Sequence, residues 1–299
     1  MASSTETIDA SVSGTWELGD LTVNRMGFGA MRLTQNGAAF GKGDSSDRSR
    51  AIAVLRRAVE LGVNHIDTAA FYFSPLRSAN ELINSALAPY TDDLVITTKV
   101  GPGRDPSGEW LWATPGQLRG QVEENLRQLG RDHLDVVNLR VARSHMSQPV
   151  AEHFGALADL RTAGLIRHLG ISNASPEQLA EAQEIAPVVC VQNRYGIGSP
   201  PEHHAFLRAC GGQGIAFVPF YAIAGAGGED GAGDVHSEAV LTVARSHGVT
   251  PAQVRLAWTL HQGPHVLAIP GTGNPDHLTE NVAAGALRLP DDDLALLAS

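Results

Sequence analysis

Eight short apolar runs, rich in β-branched residues, recur 22 to 50 residues apart along the chain. They begin at Met26, Val63, Leu94, Leu134, Ile166, Val188, Ile215 and His265. Such runs read as buried strands, and the gaps between them carry helices. In "SDRSRAIAVLRRAVELG", Ile52, Leu55 and Val59 fall on one face, and Gly62 follows as a left-handed cap. "TPGQLRGQVEENLRQLG" opens with Thr114 as N-cap and Pro115 at the first helical position, with Leu118, Val122 and Leu126 as its apolar stripe. Capping boxes Ser175/Gln178 and Thr250/Gln253 start two further helices. Alternating strands and helices imply a parallel sheet, and eight units favour an α/β fold closed as a (β/α)8 TIM barrel. The three-glycine signature of the open dinucleotide fold is missing, because Gly27 and Gly29 have no third partner. "TWELGDLTV", turning at Gly19-Asp20, reads as an N-terminal β-hairpin that plugs the barrel floor. No linker interrupts the series. A single barrel domain is expected over residues 13–299, after a polar tail over residues 1–12 expected to be disordered.

Charge narrows the partners. The chain has 32 acidic and 22 basic residues, a net charge of −10, which argues against nucleic acid or an anionic membrane as a partner. It has no apolar run of transmembrane length, and its first residues lack a signal pattern, so a cytoplasmic protein is expected. Two cysteines, Cys190 and Cys210, suit a reducing compartment and are too few for a disulfide framework. His145, His203 and His204 have no companions at ligand spacing. They read as surface residues, and no metal is expected.

In barrels of this kind the chemistry sits at the C-terminal ends of the strands. Read in order, those ends are Asp67, Lys99, Arg140, Ser172-Asn173, Gln192-Asn193, Phe220-Tyr221 and Pro270-Gly271. Tyr72 follows Asp67 by five residues. An ammonium near a phenol lowers its pKa and makes it a usable acid, and a carboxylate beside the ammonium offsets its desolvation. Asp67, Lys99 and Tyr72 therefore make sense together as a proton-delivery unit. Singly, each has a plainer reading: Asp67 as a loop cap, Tyr72 as a half-buried anchor, Lys99 as a solvated cation. Arg140 interrupts the apolar "LDVVNLRV", where a guanidinium is costly unless it faces a polar cavity or is paired. It can bind a substrate oxygen or anion, or it can be a structural arginine paired with Asp67 or another acid.

The motifs "GVNHIDTAAFY", "VITTKVG", "GLIRHLGISN", "VQNRY" and "IPGTGNPDHLTEN" resemble those of the aldo-keto reductase family, from Val23 to near the C-terminus. The resemblance implies reduction of aldehydes and ketones with a nicotinamide cofactor, NADPH in preference to NADH. It gives Asp67, Tyr72 and Lys99 catalytic roles, and places Arg140 where the family usually has a histidine. "LDVVNLRV", "VVCVQN", "VPF" and "IPGT" are similar to the bacterial pyridoxal-reducing branch, which implies reduction of pyridoxal to pyridoxine. Carried over by motif, Ser172, Asn173 and Gln192 hold the nicotinamide carboxamide and Phe220 stacks under its ring. Tyr221 and Ile223 open the glycine-rich "AIAGAGGEDGAGDVH" over the pyrophosphate, with acids Glu229, Asp230 and Asp234. Gly271, Thr272, His277, Glu280 and Asn281 meet the adenosine end. The family often has Lys or Arg at the positions of Gly271 and His277, so their absence weakens the NADPH preference. Met31, Phe73, Trp110 and Trp112 are candidates for the substrate wall, although the tryptophans can equally be packing. Two other activities fit the same site: a reductase of a secondary-metabolite ketone or sugar, and a cofactor-sensing subunit with little turnover. The expected partner is a small-molecule carbonyl substrate; the sequence does not give the oligomeric state.

Overall fold

The computed structural model describes residues 8–35, 45–104, 109–223 and 236–298. The chain starts with a hairpin, β1 (Thr15–Leu18) and β2 (Leu21–Asn24), turning at Gly19-Asp20 as expected. Then come β3 (Phe28–Gly29), α1 (Arg48–Glu60), β4 (His65–Asp67), a small ribbon of β5 (Phe73–Ser74) and β6 (Arg77–Ser78), and α2 (Ala79–Leu87). β7 (Val95–Val100) leads into a second ribbon, β8 (Pro102–Arg104) with β9 (Trp110–Trp112), and into α3 (Leu118–Leu129). β10 (Leu134–Arg140), α4 (Ala151–Thr162), β11 (Ile166–Ser172), α5 (Pro176–Gln183), β12 (Val188–Gln192), α6 (Pro201–Gly212) and β13 (Ala216–Phe217) continue the alternation. Helices α7 (Glu238–His247), α8 (Pro251–His261), α9 (Pro275–Ala283) and α10 (Asp291–Ala298) complete the described chain.

Seven strands form one parallel sheet in the order β13-β12-β11-β10-β7-β4-β3. The eighth run, residues 265–270, closes it. Val266 bridges Phe217 on one side and Ala268 bridges Met26 on the other, both in parallel. Leu267 N donates to Phe217 O at 2.9 Å and Gly27 N to Ala268 O at 2.8 Å, so neither edge is left unpaired there.

Side chains two apart along each strand share a face, and three inward layers follow. The lowest holds Val95, Val136, Ala216 and Leu267, and the hairpin drives Leu18 and Val23 into it. The floor is thus plugged with hydrocarbon, as expected. The middle layer is polar: His65 Nε2 meets Thr97 Oγ1 at 3.1 Å and Cys190 Sγ meets Asn138 Oδ1 at 3.3 Å. Gly170 is required beside them, since a Cβ there would overlap both Asn138 and Cys190. The top layer is the candidate site.

The capping boxes at Thr114/Gln117, Ser175/Gln178 and Thr250/Gln253 are all formed. The buried stripe of α1 is Ala51, Val54, Leu55 and Ala58, while Ile52 and Val59 are only half buried. The buried stripe is thus rotated from the expected Ile52/Leu55/Val59 face toward the small Ala51 and Ala58, on a helix packed against α2 and α9. In α3, Asn125 and Leu129 are buried and Leu126 is half buried. Residues 8–12, expected to be disordered, are placed. Asp9 caps a short 3-10 turn over Ala10–Ser13, and buried Ala10 donates its N–H to Leu61 O at 2.8 Å. Gly62 serves this packing as well as its own φ of +79°, since a Cβ on it would lie 2.7 Å from the Asp9 carboxylate.

Truncating the plug tests its weight. Leu18→Ala should cost about 2–5 kcal/mol of unfolding free energy in equilibrium urea denaturation. A loss under about 1 kcal/mol, below even a well-relaxed core truncation, would mean that the hairpin is peripheral.

Candidate active site

β4 and β7 are neighbours; β4 ends on Asp67 and β7 carries Lys99 one residue before its end, and both face the barrel mouth. Lys99 Nζ donates to Asp67 Oδ1 at 2.6 Å and to Thr68 O at 3.0 Å. Both side chains are almost fully buried, 3% and 4% exposed, so the pair stands in place of solvent for each charge. Asp67 Oδ2 accepts from Gln192 Nε2 at 2.7 Å. That bond fixes the amide: its nitrogen faces the carboxylate, and its Oε1 is buried with no hydrogen-bond partner. Tyr72 is carried over the pair by the loop after β4, with Lys99 Nζ 4.8 Å from its ring centroid. The structure therefore brings Asp67, Lys99 and Tyr72 together.

The electrostatics of Tyr72 differ from the sequence expectation. Burial, followed by the Asp67 carboxylate, raises the phenol above its ordinary pKa, and the Arg140 guanidinium pulls the other way. Lys99 is not what lowers it. With Asp67 at 2.6 Å, the ammonium reaches the phenol as one end of a compact dipole rather than as a lone cation. Burial also lowers the pKa of Lys99, and Asp67 opposes that shift. Beneath them, burial pushes His65 down to about 4.

Arg140 ends β10 facing the cavity, which explains a guanidinium in an apolar run. Its Nη1 donates to Ser172 Oγ at 3.1 Å, and its guanidinium carbon lies 4.6 Å from the Phe220 ring centroid. Asp67 bonds to Lys99 and Gln192, while Arg140 contacts Ser172 and Phe220.

Asp67, Tyr72, Lys99, Arg140 and Gln192 line a cavity of about 890 Å³. Phe220, Tyr221, Ile223 and Gly271 line it as well, but Ser172, Asn173, Thr272, His277, Glu280 and Asn281 do not. Ser172 is fully buried under Arg140. Asn173, in the left-handed region at φ 57°, donates its amide to Val141 O at 2.9 Å. Thr272 is buried beyond the rim and accepts from Asn274 N at 3.0 Å. His277 is exposed on α9, Glu280 is half buried and Asn281 is buried. The expected N-cap Asn274 accepts from Asp276 N. The glycine-rich loop with Glu229, Asp230 and Asp234 lies outside the described residues.

A nicotinamide cofactor fits this wall. The orphaned Gln192 Oε1 is a ready acceptor for a carboxamide N–H, and Phe220 offers an aromatic face. Gly29 and Gly271 meet backbone to backbone at the rim; a Cβ on Gly29 would lie 2.6 Å from Ile269 O.

On the substrate side, Met31, Trp110 and Trp112 line the cavity. Phe73 does not: it lies in the β5–β6 ribbon, 38% exposed, and Phe71 faces the cavity in its place. Phe71 packs edge-on against Tyr72 and Trp110. His145 is not a surface residue. It lines the cavity, stacked on Trp112 at 5.5 Å, and Trp112 also meets His153 at 5.0 Å. His204 is half buried, with Nδ1 2.7 Å from Tyr195 Oη. Sequence reading also missed Arg32 and Arg104, both on the cavity wall, with Arg104 4.3 Å over the Trp110 ring. Arg104 ends the three-residue β8 and Arg32 lies in a single 3-10 turn, elements too short to carry a periodic signal.

A closed barrel with a buried Lys–Asp pair under a tyrosine, and a wall fitted to a nicotinamide, defines an oxidoreductase of carbonyl groups. Residues 25–299 match the aldo/keto reductase family, and the chain belongs to it. It is 44% identical to pyridoxine 4-dehydrogenase of Escherichia coli over 290 residues, which covers 95% of this chain and 97% of that protein. A thermostable aldo-keto reductase crystallised with the inhibitor epalrestat is 29% identical, with a TM-score of 0.77 and coverage of 95% and 98%. An aldo/keto reductase of Klebsiella pneumoniae, in complex with NADP and acetate, is 27% identical, with a TM-score of 0.73 and coverage of 92% and 90%.

His65 makes a pH test possible. Its pKa is lowered to about 4 in the fold and lies near 6.5 when unfolded. Between these values the unfolded chain binds the extra proton, so stability rises with pH and is lost as pH falls from 6.5 to 4. His65→Gln should flatten the unfolding free energy over that window by about 3 kcal/mol relative to the parent. Parallel curves for the two proteins would mean that His65 titrates alike in both states.

Proposed function

We propose that this protein is an NADPH-dependent reductase of aromatic aldehydes in the cytoplasm, with pyridoxal, reduced to pyridoxine, as its substrate. The observation that carries this reading is Tyr72, held over the Lys99–Asp67 pair at the floor of an aromatic-walled cavity. NADPH, when bound, supplies the hydride that reaches the carbonyl carbon. Gln192 Oε1 would hold its carboxamide, with Ser172 and Asn173 beside it and Phe220 under the ring. Thr272, His277, Glu280 and Asn281 would meet the adenosine end. NADPH is favoured over NADH by the Klebsiella relative, which was crystallised with NADP.

Tyr72 gives its proton to the substrate oxygen. Its raised pKa keeps that proton in place through the neutral range, and an alkoxide is basic enough to take it. Lys99 keeps positive charge under the phenolate so formed, steadied by Asp67 and the Thr68 carbonyl. Pyridoxal has a phenolate beside its aldehyde, and Arg140 supplies permanent charge for that oxygen pair. Trp110 and Trp112 suit a flat ring. The related dehydrogenase named for pyridoxine supports the same choice.

Two measurements test this. Tyr72→Phe should abolish NADPH-linked turnover of pyridoxal, losing at least about 10²-fold in kcat, while NADPH still quenches tryptophan fluorescence. Unchanged turnover would remove Tyr72 as the acid; cofactor binding without turnover in the parent protein would favour the sensing role. Arg140→His should keep activity on uncharged aldehydes and lose the preference for pyridoxal. If the preference survives, the guanidinium does not read the phenolate.

A further inference from the structure

We infer that Arg140 is a displaceable occupant of the nicotinamide subsite, and that the incoming ring turns it toward the substrate oxygen. The inference rests on the cofactor-binding reading above. β10 lies between β7, which carries Lys99, and β11, which carries Ser172. Arg140 reaches away from β7. It donates to Ser172 on β11 and extends past β12 to the Phe220 ring beyond β13, 4.6 Å away. Between those contacts stands Gln192, whose Oε1 is buried without a hydrogen-bond partner. Ser172, Gln192 and Phe220 are the groups assigned above to the carboxamide and the ring.

Arg140 and Phe220 both line the cavity, and the guanidinium lies over one side of the aromatic ring, 4.6 Å from its centroid. A nicotinamide stacked on that side cannot share it. The Ser172 hydroxyl faces the same competition, since it now accepts from Arg140. Cofactor binding must therefore break a cation–π contact and a charge-assisted hydrogen bond. The released guanidinium stays in the mouth. On the other side of β10 is β7 with Lys99, which lies against the Tyr72 ring, and Arg140 already exerts a downward pull on that phenol's pKa. Arg140 thus couples the two ligands: its charge reaches the carbonyl oxygen only when the ring holds it off Phe220. Apparent affinity for the cofactor is reduced by the fraction of protein with the ring covered.

The test compares NADPH with 2′-phospho-ADP-ribose, which has the same diphosphate and adenosine but no nicotinamide. Dissociation constants are read by tryptophan fluorescence quenching for the full chain and for Arg140→Ala and Arg140→Lys. Arg140→Ala should bind NADPH about tenfold tighter, equivalent to about 1.4 kcal/mol, with 2′-phospho-ADP-ribose unchanged. Arg140→Lys keeps the charge but not the planar stack, and should also tighten NADPH selectively. Unchanged or weaker NADPH binding in both variants would overturn the inference. So would an equal gain for both ligands, which reports a general charge effect. Failure of the parent protein to bind NADPH at all would instead sink the functional reading and this inference with it.

Discussion

The buried Lys99–Asp67 pair organises the mouth of this barrel. Two charges almost wholly removed from water are tolerable only when each supplies the other's solvation and further polar groups complete both shells. Here the Thr68 carbonyl takes a second ammonium proton and Gln192 donates to the second carboxylate oxygen. The pair then dictates its surroundings. Because Asp67 claims the amide nitrogen of Gln192, the amide oxygen must face elsewhere, buried and free for a carboxamide. Because Lys99 is anchored from the side, its ammonium lies against the face of Tyr72. The seating of Tyr72, the ammonium against its ring and the free amide oxygen of Gln192 thus descend from a single ion pair.

A polar centre of this kind needs a dry floor. The middle layer already contains His65, Thr97, Asn138 and Cys190, with His65 Nδ1 and Asn138 Nδ2 unsatisfied. Water entering from below would hydrate this layer and weaken the field on which the ion pair depends. Leu18 and Val23 of the hairpin, packed on Val95, Val136 and Leu267, close that route. The hairpin is remote from the reaction, yet it helps keep the dielectric low beneath it.

What the sequence revealed and what it hid divide along the range of the interactions involved. Strands, caps and the hairpin turn are local: Thr250 meets Gln253 three residues on, and Gly19 needs no partner to take a φ of +69°. The barrel followed from counting them. The α1 stripe was less legible because its face is set by how Ala51 and Ala58 let the helix settle on its neighbours. Motif spacing identified Asp67, Tyr72, Lys99 and Arg140, but not their mutual geometry. The sign of the shift at Tyr72 is set first by burial of the phenol and then by the nearby Asp67 carboxylate, facts no spacing contains. The wall was the least legible part. Phe71 and Phe73 are two residues apart in one loop, and only the turn into the β5–β6 ribbon decides which faces the cavity. Arg104 is likewise delivered by the short β8–β9 ribbon, and Arg32 and His145 by single 3-10 turns.

Arginine at the end of β10 changes more than charge. An imidazole is short and rigid, and from this strand position it would stay near its own strand. The longer guanidinium arm makes contacts one and three strands away, at Ser172 on β11 and at Phe220 beyond β13. Reach makes it available both to the proposed subsite of the cofactor and to the oxygen of the substrate. Permanence matters too: a guanidinium keeps its proton wherever an imidazole would titrate, so the positive charge beside Tyr72 does not vary across the neutral range. The phenol, raised by burial and by Asp67, is eased downward by this charge. A mobile arm bearing a constant charge can therefore tie the acidity of the proton donor to where the arm lies, and so to what else is bound in the mouth.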